Sequence, residues 1–133
     1  MFVPDPLHNH TVLDERIFVF GSNEIGIHGG GAAWYAHKKL GAVWTVGEGL
    51  TGKTYALPTC SAPGKPIPFS LLELYVGRFI LFAESHPELR FFVSAVGCGI
   101  AGFNETDVAY LFKHAPENCD LPPKWYQLMN DWL

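Results

Sequence analysis

Arg90-Phe91-Phe92-Val93-Ser94-Ala95-Val96 runs directly into Gly97-Cys98-Gly99-Ile100-Ala101-Gly102, and Ile17-Phe18-Val19-Phe20 runs into Gly21-Ser22-Asn23. Each apolar run reads as a buried strand feeding a turn. Beyond the first strand lies a glycine-rich segment, Gly26-Ile27-His28-Gly29-Gly30-Gly31. Residues 32–40 after it have helical character, with Lys38 and Lys39 in the last turn and Gly41 as a stop. Beyond the second strand a helix is expected over 105–115, capped by Asn104 or Thr106. Val108, Leu111, Phe112 and Ala115 share its core face.

Working outward, strands are expected around 42–46 and 54–57, separated by a turn-rich stretch at 47–52. Residues 58–68 carry Pro58, Pro63, Gly64, Pro66 and Pro68 and read as a loop. Ser70 suits the N-cap of a largely buried helix reaching about 85, and a final helix is expected over 124–132. Strands alternating with helices indicate an α/β layered domain. The 133 residues read as one domain, with 1–15 as an irregular N-terminal segment.

Composition narrows the function classes. With 48% hydrophobic and 17% charged residues, the chain can bury a core. Thirteen acidic residues against nine basic ones give a net charge of -4, which argues against nucleic-acid binding by charge alone. Three cysteines at wide spacings, Cys60, Cys98 and Cys119, suit a reducing compartment better than a disulfide framework. The first 14 residues have neither a basic start nor an apolar run, and the longest apolar-rich stretch, 71–83, is too short for a membrane span. A cytoplasmic protein without a membrane partner is therefore expected. His8-Asn9-His10 resembles a metal pair, but nothing at suitable spacing completes a ligand set, so neither metal nor cofactor is expected.

The two glycine-rich stretches carry the functional signal. Each follows a strand and precedes a helix, the place where α/β sheets bind ligands. A helix start presents free N–H groups and a partial positive charge, and glycine lets the backbone approach a phosphate closely. Two such loops suit a diphosphate. Gly97, Gly99 and Gly102 also satisfy G-x-G-x-x-G, but too little chain lies beyond them to complete a dinucleotide half-domain, which excludes that reading.

The order of these pieces resembles a macrodomain, specifically a short macro-like group from bacteria and their phages. The resemblance spans roughly residues 17–123. It rests on Gly21-Ser22-Asn23, on residues 28–33, on 47–50 with 53–59, and on 91–103. It implies a three-layer α/β/α fold with a mixed central sheet and a cleft for ADP-ribose or a close relative. Its implied ligand contacts are Gly21, Ser22, Asn23, His28, Gly29, Gly30 and Gly31 from the first loop. From the second come Gly97, Cys98, Gly99, Ile100, Ala101, Gly102 and Phe103. Asn23 would bond the distal ribose hydroxyls and Phe103 would pack against that ribose. Hydrolytic macrodomains of the best-known class carry an Asp after the first glycine run, where this chain has Ala32 and Ala33. Glu48, Glu105 and Asp107 are the other acids that could serve.

Plainer readings compete. His28 suits ligand contact, proton transfer or a simple turn. Cys98 is either a thiol activated by a helix start or a small residue in a tight loop. Trp34 and Tyr35 suit a base pocket or core packing, and Lys38 with Lys39 suits a solvated helix end. Three function classes remain open: a module that captures an ADP-ribose-type small molecule, an ADP-ribosyl hydrolase with an unusual set of acids, and an interaction domain with a degenerate cleft.

Overall fold

The computed structural model describes residues 15–130, so the His8–His10 pair and residues 131–132 of the expected final helix lie outside the described residues. The elements run β1 (Ile17–Asn23), α1 (Gly31–Leu40), β2 (Gly49–Thr51), β3 (Thr54–Ala62), β4 (Lys65–Pro66), α2 (Phe69–Glu84), β5 (Phe91–Val93), α3 (Glu105–Leu111), β6 (Cys119–Asp120) and α4 (Pro123–Asn130). The six strands form one mixed sheet ordered β2-β3-β1-β5-β6, with β4 on β3. β1 pairs in parallel with both β3 and β5, and β6 extends β5 in parallel. β2 and β4 join β3 antiparallel. The expectation of an α/β domain with a mixed sheet is met.

Alternation along the strands divides the core. Phe18, Phe20, Ala56 and Phe92 face α1, where they pack against Ala33, Tyr35, Ala36 and Leu40. Ile17, Val19, Tyr55, Leu57, Phe91 and Val93 face the other way, toward Leu72, Val76 and Phe79 of α2, Val108 and Ala109 of α3, and Trp125 of α4. Successive residues of a strand point to opposite faces, so a continuous apolar run such as 17–20 is what a sheet covered on both faces requires. Tyr35 therefore belongs to the core, while Trp34 is exposed beneath the ammonium group of Lys38.

Several expected elements differ. Residues 42–46 form no strand: Thr45 has a left-handed φ of 78°, and Val46 N–H bonds back to the Val43 carbonyl. The partner of β3 on that side is β2, joined to it by the tight turn at Gly52 and Lys53. Gly52 has φ 57°, and a Cβ there would lie 2.6 Å from the Leu40 carbonyl oxygen. The proline-rich stretch is not a loop throughout, because β3 continues through Pro58 to Ala62. The ladder tolerates Pro58 through a bulge: Ser22 pairs with Pro58 and Asn23 with Cys60, which leaves Thr59 as the extra residue. Ordered strand β5 ends at Val93, and α3 ends at Leu111, both earlier than expected.

β1 is central, and its exit leads to α1 on one face of the sheet. Its neighbours β3 and β5 lead on to α2 and α3 on the opposite face. Diverging exits from adjacent parallel strands open a crevice at their carboxyl ends.

Candidate functional site

A cleft of about 610 Å³ occupies that crevice. Its floor is built from the strand ends: Gly21, Ser22 and Asn23 of β1, Thr59 and Cys60 of β3, and Ser94 just past β5. One wall is the start of α1 with the segment before it, Ile27 and residues 29–33. The opposite wall is the second glycine segment, including Gly97, Gly99, Ile100 and Ala101. Two stretches 64 residues or more apart in sequence thus face each other across one cleft, a size typical of small-molecule sites.

The walls differ in how they treat their helices. The N-cap of α1 is Gly30, with φ −156° and ψ 165°, no side-chain cap and no acidic residue in the first turn. The first N–H groups of α1 therefore meet the cleft without a side chain to bond them. At α3, Asn104 accepts hydrogen bonds from Thr106 N–H at 3.0 Å and Asp107 N–H at 3.2 Å, which closes that helix start. The second wall instead contributes loop backbone at 97–101.

The glycines fall into two groups. Gly31, Gly97 and Gly102 have φ of 57°, 78° and 74°, a region that favours glycine whatever the surroundings. Gly29, Gly30 and Gly99 do not share it. A Cβ on Gly30 or Gly99 would meet nothing within 4 Å, and on Gly29 only the Ile27 side chain at 4.0 Å. The fold does not demand glycine at these three positions. Each lines the cleft, and a side chain added there would meet open space.

The polar floor is held firmly. Ser22 Oγ donates to the Gly47 carbonyl, Thr59 Oγ1 donates to the Ser22 carbonyl at 3.3 Å, and Ser94 Oγ donates to the Val19 carbonyl at 2.7 Å. The Asn23 amide is clamped to one residue: Nδ2 donates to the Ile27 carbonyl and Oδ1 accepts from Ile27 N–H, both at 2.9 Å. Asn23 thus braces the first loop, and each amide atom keeps capacity for one further bond.

Four expected contacts are not part of the lining. His28 is fully buried, its Nε2–H donating to the Val43 carbonyl at 2.9 Å and its ring between Phe20 and Trp44. His28 Nδ1 is buried with no hydrogen-bond partner. Burial holds this imidazole below its ordinary range, and the nearby His37 acts in the same direction against the opposing Val43 and Val46 carbonyls. Cys98 packs on the core beneath the second loop; burial, aided by Glu105, pushes its thiol up to about 11, so it is not activated. Gly102 donates its N–H to the Gly99 carbonyl and shapes the loop. Phe103 packs edge-on against Phe69, at a ring separation of 6.0 Å. The remaining ten expected contacts all line the cleft: Gly21, Ser22, Asn23, Gly29, Gly30, Gly31, Gly97, Gly99, Ile100 and Ala101. Thr59, Cys60, Ser94, Pro63 and Gly64 also line it. Reading 58–68 as a loop and 90–96 as a continuous strand hides these five.

The three alternative acids lie elsewhere. Glu48 pairs with Arg78 at 2.9 Å, Glu105 accepts the Trp125 Nε1–H at 3.0 Å and pairs with Lys124, and Asp107 belongs to the first turn of α3. Among the described residues, no carboxylate, imidazole, lysine or arginine lines the cleft. No cluster of three or more potential metal ligands occurs among the described residues, and no helix there is long and apolar enough to cross a membrane. The chain matches no protein-family model, no curated protein and no solved structure.

Proposed function

We propose that the cleft binds ADP-ribose or a related ADP-ribose-containing nucleotide, with the diphosphate between the start of α1 and the loop at 97–101. The observation that carries this reading is the open space over Gly30 and Gly99, glycines that the fold does not require. A bare helix start and a glycine loop hold an anion through backbone N–H groups, without a side-chain cation. The order of the sequence elements, which resembles a macrodomain, supplies the nucleotide identity.

Capture is favoured over hydrolysis. General acid–base catalysis needs a titratable group within hydrogen-bond reach of the reacting bond. Ser22, Thr59 and Ser94 already spend their hydrogens on backbone carbonyls, and none has a base beside it in the cleft. Sequestration of the ligand in a reducing, cytoplasmic setting suits the three free cysteines.

Calorimetric titration with ADP-ribose, with AMP as control, tests the reading. Saturable ADP-ribose binding well above AMP supports it. No heat with either ligand, and no change in melting temperature, refutes it. Release of ADP-ribose from a modified substrate under turnover would favour the hydrolase instead.

A further inference from the structure

Between Ile27 and the start of α1 the first wall of the cleft has a single side chain, that of His28, because Gly29 and Gly30 carry none. Ile27 is held at both its N–H and its carbonyl by Asn23, and α1 opens at Gly31. The side-chain anchor of the stretch between them is therefore the His28 ring. That ring is wholly buried, and its Nε2–H donates to the Val43 carbonyl at 2.9 Å. Its Nδ1 is buried without a partner. The segment that receives it is shaped around the loop. Thr45, a β-branched residue, takes a left-handed φ of 78°, and its N–H donates to the Gly26 carbonyl at 2.8 Å.

The surroundings of the ring do not suit a cation. β1 supplies the ring of Phe20, and the segment at 42–46 supplies the ring of Trp44 with the carbonyls of Val43 and Val46. α1 supplies His37, its ring centre 6.2 Å away, the one titratable group that bears on His28 among the described residues. Residues 25–47 contain no Asp or Glu, and the flanking Glu24 and Glu48 are bonded to Tyr75 and Arg78 of α2, on the far side of the sheet. The two carbonyls attract a proton, but burial and His37 oppose it and prevail. We propose that His28 is a positioning residue that makes this wall proton-sensitive: neutral, it seats residues 28–30 against the body of the protein; protonated at Nδ1, it leaves its pocket and the wall opens. An imidazolium inside would be a buried charge without a counter-ion, whereas outside it is solvated. The seated wall is thus fully favoured above the ordinary histidine value near 6.5 and loses that advantage as pH falls. Ligand and proton then compete although their sites do not overlap.

Amide NMR of the ligand-free protein at pH 7.5 and 5.5, read alongside the His28 ring signals, tests the proposal. On protonation of His28 the amide signals of 27–31 and 43–46 should shift or broaden together, while those of 97–101 stay in place. Unchanged signals from the first wall, a His28 ring that titrates without them, or general acid unfolding overturns the proposal. Calorimetry with ADP-ribose adds an affinity readout, which rests on the nucleotide-binding reading. Binding to wild type should weaken about three- to tenfold from pH 7.5 to 5.5, about tenfold being the ceiling for one proton with a value near 6.5. His28→Gln retains a donor for the Val43 carbonyl and does not titrate, so its affinity should change less than about twofold over the same range. A wild-type affinity that holds at pH 5.5, or a wild-type pH profile in His28→Gln, also overturns the proposal. Absence of binding at either pH overturns the nucleotide reading alone, and the NMR result still decides the role of His28. The wild-type NMR result likewise decides if the variant fails to fold.

Discussion

Gly30→Asp should make the protein more stable and its ligand binding much weaker, two effects of opposite sign from one substitution. Gly30 is the N-cap of α1 and already has the extended backbone of a capping Asp, with φ −156° and ψ 165°. An Asp carboxylate there accepts from N–H groups in the first turn, worth a few tenths of a kcal/mol over glycine. It also sets a negative charge at a helix start that has no acidic residue in its first turn, worth about 0.3–1 kcal/mol. Loss of glycine's freedom in the unfolded chain adds about 0.4–1 kcal/mol. The gains overlap, so about 1 kcal/mol is expected, or roughly 4 °C in Tm for a domain of this size.

Binding moves the other way. The carboxylate takes the N–H groups proposed for the diphosphate and repels it, by roughly 3 kcal/mol for unit charges about 5 Å apart at an effective dielectric near 20. That corresponds to a loss of more than about 100-fold in affinity. Thermal melting and calorimetry with ADP-ribose read the two effects separately. Gly30→Ser supplies the cap without the charge and should weaken binding less. A raised Tm with wild-type affinity in Gly30→Asp would remove the start of α1 from the ligand site. A lowered Tm would refute the capping argument itself.

Other substitutions probe the remaining parts. Gly99→Val has open space for its side chain, so it should keep the fold, checked by circular dichroism, and abolish ADP-ribose binding; retained affinity would remove the second loop from the site. Asn23→Ala removes both bonds to Ile27 and should cost about 1–2 kcal/mol of stability in denaturant titration, whereas unchanged stability would deny its role as a brace. Gly77→Ala, within α2 and clear of neighbours, should add about 1 kcal/mol without affecting the cleft. His28 should make stability pH-dependent. Its folded pKa is depressed, so its neutral form contributes stability that is full above the unfolded value near 6.5 and is lost as pH falls toward the folded value. Denaturant midpoints at pH 7.5 and 5.5 should therefore differ less in His28→Phe than in wild type; an equal difference would clear His28 of that role.

How much was legible in the sequence varied by element. β1 and α1 were readable because an apolar run, a glycine stop and terminal lysines are local signals. The register of β3 was not. Pro58 looks like a strand breaker unless the opposite strand is known to omit a pairing step there, and that bulge exists only between two strands. The segment at 42–46 misled in the same way. Its apolar residues suggested a strand, but it is fixed by contacts from outside: His28 and His37 donate to the carbonyls of Val43 and Ala42, and Gly26 accepts from Thr45 N–H.

The cleft divides along the same line. Glycine loops at two strand-to-helix junctions could be read directly, because glycine's lack of a side chain is written in the sequence. Which glycines the backbone needs could not, since that depends on φ and on neighbouring atoms. His28 illustrates the difference: beside three glycines it reads as a ligand contact, yet its ring turns inward against Phe20. The sequence by itself determined an α/β layered chain with two glycine-rich junctions, because periodicity and turn residues act locally. Only the tertiary structure decided that those junctions face one another over a floor of Ser22, Thr59 and Ser94, because strand order and the bulge in β3 arise from pairing between segments distant in the chain.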